Sequence, residues 1–75
     1  MIEAGYDLDK QDDEGYTVLH FACRENYLYW IDFFIKSGCN IEKKDNIGRT
    51  AFNITCQYDF IEGTKLLIKA GCKRD

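Results

Sequence analysis

Apolar side chains recur along this chain at helical spacing, in segments too short for one continuous element. Leu19, Ala22 and Cys23 fall at i, i+3 and i+4 and mark one face of a short helix through residues 18–23. A denser run follows: Leu28, Trp30, Ile31, Phe33, Phe34 and Ile35. It covers more than one helical stripe, which predicts a second helix buried on more than one side. Asn26 lies between the two and is of a type that accepts left-handed backbone, so the chain is expected to reverse there. Gly38 stands where a glycine C-cap belongs, with Cys39 beside it to contact the last turn. Residues 40–44 are polar and read as a connector, and no strand-period segment is long enough to form a sheet.

The pattern then returns. Asp12, Gly15, Thr17, Cys23, Ile35, Lys36, Gly38 and Cys39 reappear 33 positions later as Asp45, Gly48, Thr50, Cys56, Ile68, Lys69, Gly71 and Cys72. Residues 1–6 match the same register, with Gly5 lying 33 before Gly38. Each copy is one supersecondary unit that buries its apolar face only against its neighbours, so the chain reads as part of a stacked array. Three parts are expected: the tail of a preceding repeat (1–11), a full repeat (12–44) and a second, truncated repeat (45–75). Both ends fall inside a repeat, and the expectation is a piece of a longer array. Such arrays need about three or more repeats, so marginal stability or end-to-end association is expected.

Each repeat opens on a turn. Residues 12–15 and 45–48 place Asp first and Gly fourth, the preference of a type I turn. Thr17 and Thr50 follow, with hydroxyls able to accept from an unpaired amide of the starting helix. Two groups of differences between the copies bear on packing. Asn53 and Thr55 replace His20 and Ala22, and Gly63-Thr64 replaces Trp30-Ile31. A helix-interior Gly costs roughly 1 kcal/mol against Ala. The second repeat is therefore expected to be weaker and to leave room for a bulky neighbour.

Composition narrows the function classes. The net charge of -3 argues against general binding to nucleic acid or anionic membrane. No apolar run reaches the roughly 18 residues that span a bilayer. The cysteines occupy repeated positions, Cys23 with Cys56 and Cys39 with Cys72. Stacked helices lie roughly 8–10 Å apart, whereas a disulfide needs Cα atoms within about 7 Å. With no C-x-x-C pair and one histidine, zinc spacing is absent too. The thiols are expected to be buried, free and acting as small hydrophobes. That usage suits an intracellular location, cytoplasmic or nuclear.

Asp12-x-x-Gly15-x-Thr17-x-Leu19-His20-x-Ala22, followed by Phe33-Phe34-Ile35-x-x-Gly38, resembles the ankyrin repeat with its T-P-L-H-x-A signature. Val18 and Ala51 stand where that family usually has proline. The resemblance implies an all-α solenoid of stacked helix-turn-helix units joined by turn or hairpin-like connectors. It also implies a non-catalytic protein-interaction module, a scaffold or adaptor without a cofactor or metal. Its partner would be gripped by the turn tips and the concave face of the first helices. Carried over by position, that surface is Asp13, Glu14, Tyr16, Arg24 and Glu25, then Asn46, Ile47, Arg49, Gln57 and Tyr58.

The residues support such a face on their own. Ile47 sits in mid-turn with no core to enter. Tyr16, Arg49 and Tyr58 are of types enriched at hot spots. The first connector and turn are acidic (Asp7, Asp9, Asp12, Asp13, Glu14) and the second carries Lys43, Lys44 and Arg49, which would steer a partner into register. The alternatives are a regulatory or targeting segment of a larger enzyme or channel, and a cysteine-based metal or redox site.

Other chemistry reads as structural. His20 and Cys23 make a formal base and nucleophile, but the second copy keeps Cys56 and replaces the base with Asn53. Asn53-Ile54-Thr55 matches a glycosylation sequon inside a helix. The acidic residues 7–14 lack the EF-hand spacing for calcium and read as a solvated tip.

Overall fold

The computed structural model describes residues 7–71. Met1–Tyr6, expected as the end of a preceding repeat, and Cys72 lie outside the described residues. Four helices form, α1 (Val18–Arg24), α2 (Leu28–Lys36), α3 (Ala51–Gln57) and α4 (Ile61–Lys69), and no strand occurs among the described residues. The helices pair within repeats, α1 with α2 and α3 with α4, and stack between repeats, α1 on α3 and α2 on α4. The architecture is the expected all-α stack.

Local chemistry starts and stops each helix where the sequence places the signals. Thr17 and Thr50 accept from the amides of His20 and Asn53, whose side chains reach back to the threonine amides and close a capping box. Asn26 and Asp59 take φ of 59° and 58° and reverse the chain between helices.

The turns are duplicates. Asp12 Oδ1 accepts from the amides of Glu14 and Tyr16, and Asp45 Oδ1 from those of Ile47 and Arg49. In the first turn Gly15, at φ +80°, sits directly beneath the second. A Cβ there would lie 2.6 Å from the Asn46 nitrogen, so only glycine lets the turns stack.

The repeat period is also the hydrogen-bond register. Gln11 donates to the Lys44 carbonyl (2.7 Å), Asn46 donates its side-chain amide to the Asp13 carbonyl (2.7 Å) and Arg49 donates to Tyr16 (2.8 Å), each pair 33 residues apart. His20 adds a tie from inside. Its Nε2 lies 2.9 Å from the Arg49 carbonyl, which only accepts, so Nε2 carries the proton. Nδ1 is then the acceptor for the Thr17 amide and hydroxyl at 3.1 and 2.9 Å. Asn53, its counterpart, keeps the cap bonds to Thr50.

The core is Leu19, Ala22, Cys23, Ile31, Phe34, Ala51, Ile54 and Leu67. Three expectations need correction. On α2 only Ile31 and Phe34 are buried, while Leu28, Tyr29 and Trp30 are exposed, because the described residues cover one side of that helix. Cys23 is buried but Cys39 is half-buried and Cys56 exposed, since repeated positions share a backbone site without sharing a neighbour. Gly63 does not leave room for a bulky neighbour. A Cβ on it would meet Thr55 Cγ2 at 3.1 Å and Ile31 Cδ1 at 3.4 Å. The Thr64 hydroxyl lies 3.0 Å from both Thr55 Oγ1 and the Phe60 carbonyl, so a polar pair replaces the apolar Ala22–Ile31 pair of the first repeat.

Candidate protein-interaction face

Stacking the two turns brings Tyr16 and Arg49 together. Tyr16 leaves the first turn and stacks on the His20 ring at 5.5 Å between centroids. The guanidinium carbons of Arg24 and Arg49 each lie 5.9 Å from the centre of the Tyr16 ring, within cation–π range. Arg49 spends every nitrogen inside the molecule. Nε donates to Asp45 Oδ2 (2.8 Å), Nη1 to Gln57 Oε1 (3.1 Å) and Nη2 to Tyr16 Oη (2.8 Å).

Asp45 is the anchor that sequence reasoning missed. Its side chain has no exposure, although the sequence marks it only as a turn residue. Burial alone would push its carboxyl up. Hydrogen bonds from the amide and guanidinium of Arg49 and from the Ile47 amide outweigh that, and the net shift is downward. The same bond with Asp45 raises the Arg49 guanidinium. The i, i+4 spacing of Asp45 and Arg49 was the available signal, but nothing in it announced burial.

A cleft of about 290 Å³ opens between the turn tips, lined by Asp13, Glu14, Tyr16, Arg24, Asp45, Asn46, Ile47 and Arg49. Ile47 stands at its edge, 77% exposed. The remaining expected residues are Glu25, Gln57 and Tyr58, and none of them lines the cleft. Glu25 lies 3.7 Å from Arg24 Nε, Gln57 props Arg49, and Tyr58 is stacked on Phe60 at 5.6 Å. Arg49, one of the expected contact residues, is paired with Asp45 and keeps about a fifth of its side chain exposed. Arg24 and Arg49 are the two cations that line the cleft.

The His20 ring is bonded on both nitrogens, and burial pushes the Cys23 thiol up to about 12, so it holds its proton at neutral pH. Burial likewise raises Cys39 to about 11, with the Asp9 charge adding to it. The carboxylates of Asp7, Asp9 and Asp12 each accept from backbone amides. Among the described residues no three His, Cys, Asp or Glu side chains come together as a metal site. Thr55 of the sequon is buried. No helix among the described residues is long and apolar enough to cross a membrane.

A family model described as ankyrin repeats (3 copies) matches residues 1–75. Among curated proteins none matches the sequence. A chain from the solved complex of the predatory endopeptidase Bd0816 of Bdellovibrio bacteriovorus with immunity protein Bd3460 is similar in fold and sequence. It superposes with a TM-score of 0.89 and 33% identity over 93% of this chain. The match covers 36% of that chain, so this sequence spans about a third of the structure it resembles.

Proposed function

Because the chain belongs to the ankyrin-repeat family, we propose that it is a non-catalytic binding module that holds a partner protein at its turn tips and concave first-helix face. Ankyrin repeats are in general protein-interaction units, and the similar solved chain comes from a complex between two proteins. The observation that carries the reading is Ile47, a large apolar side chain left in water at the edge of a charged cleft. Around it Asp13, Glu14 and Arg24 offer charges of both signs. Arg49 and Tyr16 hold one another in place, which lowers the ordering cost of binding. The free thiols of Cys23, Cys39 and Cys56 suit a reducing, intracellular compartment.

Affinity capture on the immobilised chain tests this. Ile47→Glu with Arg24→Glu alters side chains that are exposed, so folding is preserved. Proteins retained by the wild type and lost on the double variant support the face. Retention of the same proteins on both would refute it.

A further inference from the structure

Both walls of the turn-tip cleft belong to this chain. The first repeat brings Asp13, Glu14, Tyr16 and Arg24 to it, and the second brings Asp45, Ile47 and Arg49. It opens between the two repeats, where Asn46 is bonded to Asp13 and Arg49 to Tyr16, and not at an end of the stack.

Unused donors gather around Tyr16. Its Oη accepts from Arg49 Nη2 at 2.8 Å, so the hydroxyl's own hydrogen points elsewhere, and no acceptor among the described residues takes it. Arg49 uses three of its five N–H groups, which leaves two. Arg24 is freer still. Its side chain is 43% exposed, and its ion pair with Glu25 is 3.7 Å long, too far for a hydrogen bond. Both guanidinium carbons lie 5.9 Å from the centre of the Tyr16 ring, which is itself stacked on His20. A further cation at that ring would meet two like charges. An anionic acceptor would be met by N–H and O–H donors from three side chains.

Spare acceptors stand on the turn. The Asp13 and Glu14 carboxylates are exposed and have no hydrogen-bond or ion-pair partner among the described residues. Asp45, the other carboxylate of the cleft, is already paired with Arg49. The cleft thus carries unspent charges of both signs, with Ile47 as an apolar edge. A purely negative ligand would suit Arg24 and Tyr16 but be repelled by Asp13 and Glu14. For a phosphate dianion that repulsion is about twice that for a carboxylate. A segment with one acid and one base suits both sides.

We propose that the cleft reads a paired signal in its partner protein: an acidic side chain seated on the Tyr16 hydroxyl and Arg24, and a basic side chain facing Asp13 and Glu14. An apolar residue of the same segment covers Ile47. This specificity rests on the turn-tip face being the binding surface, and adds what the bound segment must contain.

Phage-displayed random peptides panned on the immobilised chain test the signal. Enrichment of Asp or Glu together with Lys or Arg and an apolar residue is expected on the wild type. Arg24→Gln is expected to abolish the acidic preference and keep the basic one, and Asp13→Asn with Glu14→Gln to do the reverse. These side chains are exposed, and circular dichroism confirms that the variants fold. In calorimetry with a selected peptide, changing its acid to the amide is expected to cost about tenfold in affinity on the wild type and little on Arg24→Gln. Tyr16→Phe keeps the ring and loses the O–H, so it should weaken the acidic peptide about tenfold and its amide form little. Replacing the acid by phosphoserine is expected to weaken binding; tighter binding assigns the donors to phosphate and overturns the proposal. Equal losses on wild type and variants also overturn it, as does failure to enrich any peptide. Peptides with no charge preference that are lost on Ile47→Glu/Arg24→Glu overturn the paired signal and leave the turn-tip reading standing. Peptides retained by that double variant sink both.

Discussion

Replacing Gly63 with alanine sets two effects of similar size against each other. Alanine in a helix interior is favoured over glycine by about 1 kcal/mol. The new methyl, however, would stand 3.1 Å from Thr55 Cγ2 and 3.4 Å from Ile31 Cδ1. Ile31 offers the flexible end of its side chain and can yield. Thr55 cannot, because it is stiff at χ1 and its hydroxyl bonds the Phe52 carbonyl and lies 3.0 Å from Thr64 Oγ1. Overpacking of this kind costs about 1–3 kcal/mol, so Gly63→Ala is expected to destabilise by about 1 kcal/mol net.

Thr55→Ser removes the obstructing methyl and keeps the hydroxyl bonds. In that background Gly63→Ala should recover its helix gain and stabilise by about 1 kcal/mol. The coupling between the two sites is then about 2 kcal/mol, within the range for residues in contact. Urea unfolding followed by far-UV circular dichroism measures all corners of the cycle, and melting shifts of about 4–8 °C per kcal/mol give an independent reading. If Gly63→Ala stabilises the wild type by the full helix increment, or the coupling is under about 0.5 kcal/mol, the packing account is wrong.

Other expectations follow from the buried polar groups. His20→Asn copies the second repeat; it should keep the cap on Thr17 but lose the bond to the Arg49 carbonyl, lowering stability by about 1 kcal/mol in the same unfolding assay. The Cys23 thiol sits near 12 when folded and about 8.5 when unfolded, so its stabilisation is complete below the unfolded value and is lost as pH rises through the folded one. Urea midpoints taken between neutral and strongly alkaline pH should fall more steeply for wild type than for Cys23→Ala. Asp45 titrates below its unfolded value of about 4, so its stabilisation is present above that pH and is lost on acidification through the lower folded value. Asp45→Asn should flatten the acid limb of the stability curve; an unchanged limb would exclude the Asp45–Arg49 pair as its source.

Much of the architecture was legible because its signals act over a few residues. The Asp12 and Asp45 turns, the Thr17 and Thr50 caps and the reversals at Asn26 and Asp59 all close through bonds to neighbours within about one helical turn. Repetition of those signals at one period then implied stacking, since neither helix pair buries its apolar side alone. The position of the turn-tip residues on one face follows from the same period.

Residues whose state depends on the neighbouring repeat were not legible in this way. Cys23 and Cys56 are identical in local sequence role, yet one is sealed and the other exposed. Arg49 carries a charge suited to a partner, and only stacking shows that its guanidinium also braces Tyr16 Oη. Gly63 reads as a weakness and is a contact, because Thr55, with Ile31 of the other repeat behind it, stands where a side chain would go. The turns, the helices, their caps and the register in which the units stack are written in the residues themselves. Which copy of each repeated position is buried, and which charges are spent, follows from tertiary packing. Local backbone preferences are written within a few residues, whereas burial is set by whatever the chain brings from 33 residues away.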